Sequence, residues 1–143
     1  MGKSKTNKPT KSELEILSVL WKRGSATVRE VFEVINEQRS ASYTTILKLM
    51  QIMREKDLVE CDAANKAHVY RAKIKQNETG KQMLQDVLHK VFGGSALKLV
   101  QQVLETKMAS NEEMKEIRKM IEQAEKQAEE QTAKQTLKKE NKK

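Results

Sequence analysis

The chain is poor in the residues that build metal centres, disulfide frameworks and covalent catalytic sites. It carries a single cysteine, Cys61, which excludes both a disulfide framework and a cysteine-rich zinc module. Its two histidines, His68 and His89, are far apart and have no partner at metal-ligand spacing. Five scattered glycines, of which only Gly93 and Gly94 are adjacent, leave no glycine-rich phosphate loop. Aromatic residues make up 3% of the chain, namely Trp21, Phe32, Tyr43, Tyr70 and Phe92. No apolar run approaches the ~18 residues of a transmembrane helix, and Met1 to Lys11 is basic and polar, without the apolar core of a signal peptide. No Ser–His–acid or Cys–His pattern stands out. These absences predict a cytoplasmic protein with no membrane insertion, no cofactor, no metal and no enzyme activity.

What is abundant is charge, with 28 Lys+Arg against 20 Asp+Glu in 143 residues and a formal net charge of +8. The length suits one ordinary domain, or a small domain with an attached helical module. A positive balance of this size favours a polyanionic partner, most simply nucleic acid. It leans to the front, since residues 1–74 carry fourteen basic and nine acidic side chains.

Periodicity divides the chain. Residues 1–9 read as a flexible basic arm. Thr10-Lys11-Ser12-Glu13 is a capping box, in which a hydroxyl and a carboxylate satisfy each other's backbone N–H groups. A helix to about Arg23 follows, with Leu14, Leu17, Leu20 and Trp21 on one face and Gly24 as its stop. A second box, Thr27-Val28-Arg29-Glu30, opens a helix over 28–38 that buries Val28, Val31, Phe32 and Ile35. A third helix runs from near Ser42 to about Lys56 with Ile46, Leu49, Met50 and Met53 inward, and Asp57 stands where a left-handed residue would suit. The period then becomes β-like at 58–62 and 67–71 around a turn at 63–66, with Cys61 half-buried and one of Val69 and Tyr70 inward. Three short helices and a hairpin are the layout of a winged helix-turn-helix.

From residue 75 the pattern is all-helical. A helix near 77–92 is expected to bury Met83, Leu84, Val87, Leu88, Val91 and Phe92. Gly93-Gly94-Ser95 breaks it before a helix near 96–106, with Leu97, Leu99, Val100, Val103 and Leu104. A third capping box, Ser110 to Glu113, opens a long helix whose seam is Met114, Ile117, Ile121, Ala124 and Ala128. These helices are too one-sided to close a core alone, so two chains are expected to intertwine there. The predicted fold is mostly α with a small β-hairpin, in four parts. They are the arm (1–9), a winged-helix DNA-binding domain (10–74), a helical dimerisation domain (75–135) and a lysine-rich tail (136–143) expected to fray. The dimerisation residues are Val87, Val91, Leu99, Val100, Val103, Leu104, Ile117 and Ile121.

In a helix-turn-helix the second helix presents its N-terminal residues to base edges in the major groove. Ser42, Tyr43, Thr44 and Thr45 form that first turn here, and Lys48 follows on the same face. Short hydroxyls bond phosphate or base edges, and helix N-terminal amides favour phosphate. In isolation Ser-Tyr-Thr-Thr would read as a cap and solvated surface; the three-helix-plus-hairpin setting turns it into a candidate site. Asn65, Lys66, His68 and Arg71 either contact phosphate or the minor groove or form an ordinary polar turn. Trp21 is expected in the core, under the recognition helix. The methionines at helical spacing read as core filler. Ile52 is an apolar residue on the supposed DNA face.

The run Thr10-x-x-Glu13-x-x-x-Leu17-x-x-Leu20-Trp21 and the run Thr27-Val28-x-Glu30-Val31 resemble the penicillinase repressor family (BlaI/MecI/CopY type). So do Ser42-Tyr43-Thr44-Thr45-Ile46, Lys56-x-Leu58, His68-Val69-Tyr70 and Phe92-Gly93-Gly94-Ser95. The likeness covers roughly residues 10–122, in order. It implies a winged-helix homodimer that represses transcription from a palindromic double-stranded DNA operator, with Thr44, Thr45 and Lys48 facing the operator and Tyr43 opening the helix. Many members have Arg where this chain has Ile52, and Gly where it has Asp57. The copper-responsive members carry a Cys-x-Cys tail that this chain lacks, which argues against copper sensing. In the antibiotic-responsive members a membrane sensor protease cuts the dimerisation domain at an Asn-Phe bond; the nearest equivalent here is Gln102-Val103, a candidate cleavage bond. The rival reading is a winged-helix module that binds proteins without reading DNA sequence.

Overall fold

The computed structural model describes residues 8–64 and 66–141. Asn65, the greater part of the predicted arm and the last two lysines lie outside the described residues. The chain divides into two compact units, one ending at Asp86 and one starting at Val87.

The first unit begins with α1 (Lys11–Arg23), β1 (Ala26–Thr27), α2 (Val28–Gln38) and α3 (Tyr43–Glu55). A wing of β2 (Val59–Asp62) and β3 (Val69–Ala72) follows, and then α4 (Gln76–Lys90). Both predicted capping boxes close. Thr10 Oγ1 accepts the Glu13 N–H at 3.2 Å while Glu13 Oε1 accepts the Thr10 N–H at 2.9 Å, and Thr27 and Glu30 repeat the exchange at the same distances. The helices therefore start where the hydroxyls stand.

The core is assembled from one stripe of each helix and one face of the sheet. Ile16, Leu17 and Leu20 of α1, Val31 and Ile35 of α2, and Ile46, Met50 and Met53 of α3 close over Leu58, Val59 and Tyr70. Phe32 and Leu49 pack at its edge, half-buried. Trp21 is also half-buried, and its indole N–H donates to the Ile74 carbonyl at 3.0 Å. That bond ties α1 to the chain just beyond the wing, so Trp21 is an edge strut rather than a residue buried under α3.

The sheet has three strands, in the order β1-β3-β2, all antiparallel. The hairpin pattern led to two strands; β1 was not foreseen. β1 is two residues long, Ala26 pairing with Tyr70 and Thr27 with Val69. On its other side β3 pairs with β2, setting Arg71 opposite Glu60 and Tyr70 opposite Cys61.

The end of α3 sets the angle at which the chain enters the wing. Asp57 takes φ 63°. The Leu58 N–H donates to the Met53 carbonyl at 2.9 Å and the Asp57 N–H to the Arg54 carbonyl at 3.2 Å. These are the two bonds of a Schellman motif, and the apolar contact that accompanies it falls to Leu58 and Met53, both fully buried.

The second unit contains the last residues of α4, then α5 (Ala96–Glu105) and α6 (Asn111–Asn141). Gly93 and Gly94 have φ 58° and 82°, which ends α4 as expected, and Ser95 caps α5. The Ser110–Glu113 box closes with both bonds at 3.1 Å. α6 continues through Asn141, so the stretch expected to fray is helical as far as it is described. Its Glu, Lys, Gln and Ala content is that of strong helix formers, which need no packing to favour the helix. Among the described residues no apolar side chain beyond Tyr70 is buried. Leu84, Val87 and Val91, which their spacing predicts to be buried, are instead exposed in the single chain. Among the described residues no helix is long and apolar enough to cross a membrane.

Candidate nucleic-acid interface

The hydrophobic stripe of α3 fixes which of its residues face outward. With Ile46, Met50 and Met53 turned into the core, the 100° step per residue puts Thr44, Lys48, Gln51 and Glu55 along the centre of the opposite face. Thr45 and Ile52 occupy one flank of that face, seven residues apart. Leu47 lies toward the wing. Thr44, Thr45, Lys48, Gln51 and Ile52 are all exposed. Ser42 caps the helix, its Oγ accepting the Thr45 N–H at 3.4 Å. No acidic residue stands in the first turn, so the positive end of the helix dipole is left for an external anion.

Tyr43 is held from two sides. Its ring meets Phe32 edge-on, with centroids 5.7 Å apart and planes at 76°. The Arg29 guanidinium carbon sits 5.2 Å from the ring centroid. The arginine therefore stands beside the first turn of α3, where it adds positive charge to the helix's N-terminal end. The sequence pattern did not single it out, because its position depends on how α2 crosses α3.

The wing contributes unequally. A cleft of ≈ 400 Å³ lies between α3 and the hairpin, with Arg29, Tyr43, Leu47 and Gln51 on one wall and Lys66 and His68 on the other. Lys66 and His68 are thus brought to the recognition helix. Arg71 is not among the lining residues. It alternates with inward-facing Tyr70, and its guanidinium lies 3.6 Å from Glu60 across the strands. Lys48, Lys66 and Arg54 have no carboxylate at ion-pair distance among the described residues. Burial pushes the Tyr70 phenol above its ordinary range, reinforced by Cys61 opposite, while the Arg54 guanidinium acts against both. The ring is neutral at pH 7 and serves as packing.

The frame of α3 rests on one buried carboxylate. Glu13 is 3% exposed and accepts from Lys56 Nζ at 2.7 Å as well as from Thr10. Burial on its own raises its carboxyl, and the Lys56 hydrogen bond, the Thr10 N–H and the Lys56 charge together bring it below the ordinary carboxylate value. Lys56 is the C-cap of α3, so this pair locks the recognition helix to the start of α1.

The predicted dimerisation residues lie on three helices and one turn. Val87 is on α4, Val91 just after it, Leu99, Val100, Val103 and Leu104 on α5, and Ile117 and Ile121 on α6. Leu99 and Val103 are half-buried and the other six are exposed. Gln102, of the candidate cleavage bond, accepts at its carbonyl from Thr106 Oγ1 at 2.7 Å inside the helical turn.

Three packed helices, an exposed and unneutralised first turn on the third, and a three-stranded wing beside it define a winged helix-turn-helix protein. The comparison with known families gives the class its particular member. The penicillinase repressor family matches over residues 9–123, and the chain belongs to that family of DNA-binding transcriptional repressors. It is similar to the methicillin resistance regulatory protein MecI of Mammaliicoccus sciuri, 24% identical over 118 residues, covering 82% of this chain and 96% of that one. It is similar also to the penicillinase repressor of Staphylococcus aureus, 21% identical over 110 residues (77% and 87% of the two chains). The penicillinase repressor of Bacillus licheniformis is 23% identical over 110 residues (77% and 86%).

Proposed function

We propose that the chain is a homodimeric repressor that binds a palindromic operator, one winged-helix head per half-site. Residues 10–74 are the head and residues 75–135 the dimerisation domain. The observation that carries the reading is the outward face of α3. Thr44, Thr45, Lys48 and Gln51 are exposed together, uncompensated by acid in the first turn, next to Lys66 and His68 of the wing. Specificity comes from the N-terminal turns of α3, with Ser42 and Tyr43 opening them, and affinity from phosphate contacts by Lys48, Lys66 and Arg29. Arg71 contributes less, because Glu60 offsets its charge.

Dimerisation is supported by the second unit itself. Val87, Val91, Leu97, Val100 and Leu104 are 43–70% exposed in the single chain, and among the described residues the second unit has no buried apolar side chain. A second copy covers such a surface by presenting the same stripes. Linking two heads raises operator affinity through effective concentration, and cutting at Gln102-Val103 by a membrane sensor protease would relieve repression by splitting that link. The second reading, raised by the exposed Ile52, is a protein-interaction module, although a lone isoleucine falls far short of the contiguous apolar patch such a module needs. Footprinting with sedimentation separates the two. A two-fold symmetric footprint with two chains bound is expected; protection of no specific sequence, together with binding insensitive to salt, would favour the module.

A further inference from the structure

Between Lys8 and Ile74 two large apolar side chains are exposed, Tyr43 and Ile52. Arg29 and Phe32 account for Tyr43. Ile52 is 37% exposed and is not part of the group packed on the core. It stands in the third turn of α3, on the flank facing away from the wing cleft. Thr45 shares that flank seven residues earlier, roughly 10 Å along the axis. Their neighbours on the outward face, Thr44, Lys48, Gln51 and Glu55, all carry groups that bond polar base edges. An isoleucine cannot. The major-groove edges of the four base pairs present one apolar group, the thymine 5-methyl. A docking face for another protein would need a contiguous apolar patch of hundreds of Å², and one isoleucine among hydroxyl, amine, amide and carboxylate groups does not supply it.

We propose that Ile52 is a specificity-determining residue that packs against a thymine 5-methyl group in the major groove, with the Thr45 methyl serving a second thymine on the same flank. The proposal rests on the DNA-reading function above.

The test is selection from a random duplex pool by the full chain and by Ile52→Ala, followed by uracil substitution in the selected sequences. Uracil removes the methyl and keeps every hydrogen-bonding edge. The wild-type consensus is expected to fix a thymine that the Ile52→Ala consensus lacks. Uracil at that position should weaken wild-type binding about fourfold per half-site, the worth of one buried methyl, and leave Ile52→Ala unchanged. Ile52→Val, which keeps part of the branched surface, should fall between. Ile52 lies outside the group packed on the core, so its truncation leaves the core contacts in place, and an unchanged thermal melt checks the fold. A wild-type protein indifferent to uracil at every thymine, or an equal loss in Ile52→Ala, would overturn the role of Ile52 and leave the DNA-reading function standing. A pool that yields no consensus would overturn both.

Discussion

Replacing Glu13 tests how the recognition helix is held. Glu13→Ala deletes two bonds at once, the 2.9 Å acceptor of the Thr10 N–H and the 2.7 Å partner of Lys56. Losing the Glu13 half of the capping box removes the side-chain partner of the Thr10 N–H and costs about 1 kcal/mol. Loss of a hydrogen bond to a charged group costs about 1.5–3 kcal/mol, and the lower end applies because Lys56, 33% exposed, regains water. The total is about 2–3 kcal/mol, which for a domain of this size lowers Tm by roughly 10–20 °C. The pH dependence has a definite sign. The folded carboxyl lies below its ordinary value, so the stabilisation is complete above the unfolded value of about 4.3 and is lost as pH falls through the folded value. Glu13→Gln should therefore flatten the acid side of the stability profile. Urea unfolding followed by circular dichroism at pH 7 and in the acid range measures both effects. A Glu13→Ala variant within about 0.5 kcal/mol of wild type in urea, with a thermal melt shifted by less than about 2 °C, or an acid limb unchanged in Glu13→Gln, would show that Glu13 does not hold α3.

Other perturbations follow from the same geometry. Asp57→Gly should stabilise the first unit by up to about 1 kcal/mol, since φ 63° suits glycine and the Lys73 pair it loses is exposed; a destabilised variant in urea unfolding would contradict that. Thr44→Ala with Thr45→Ala should reduce discrimination between operator and random DNA more than it reduces binding to random DNA, and equal losses would remove both from base reading. Lys66→Ala should lower the slope of log affinity against log salt by about 0.9, whereas Arg71→Ala should change it less; equal slope changes would place Arg71 on phosphate after all. Val100→Asp with Val103→Asp should dissociate the dimer by placing unpaired charge in an apolar interface, and sedimentation showing an intact dimer would put the interface elsewhere.

The helix starts were legible because capping boxes are local. Thr10–Glu13, Thr27–Glu30 and Ser110–Glu113 each specify a start within four residues, and all three close. β1 was not legible. Two residues carry no alternation, and Thr27 belongs at once to the strand and to the cap of α2. Side-chain partnerships across elements were equally hidden. The stacking of Arg29 on Tyr43 depends on the crossing of α2 and α3, and the offset of Arg71 by Glu60 depends on the register of β2 and β3. The outward set of α3 could be read in advance because one buried stripe decides the other face of a helix. The extent of α6 to Asn141 was hidden because its apolar seam stops near Ala128, whereas its helix propensity continues.

The central claim is sequence reading by α3. Fluorescence anisotropy of the full chain on DNA from upstream of its own gene, against a shuffled duplex at several salt concentrations, tests it most directly. The account predicts binding to the upstream DNA tighter by ~10³-fold or more, with a steep salt slope. Equal, weak binding to both duplexes would contradict it.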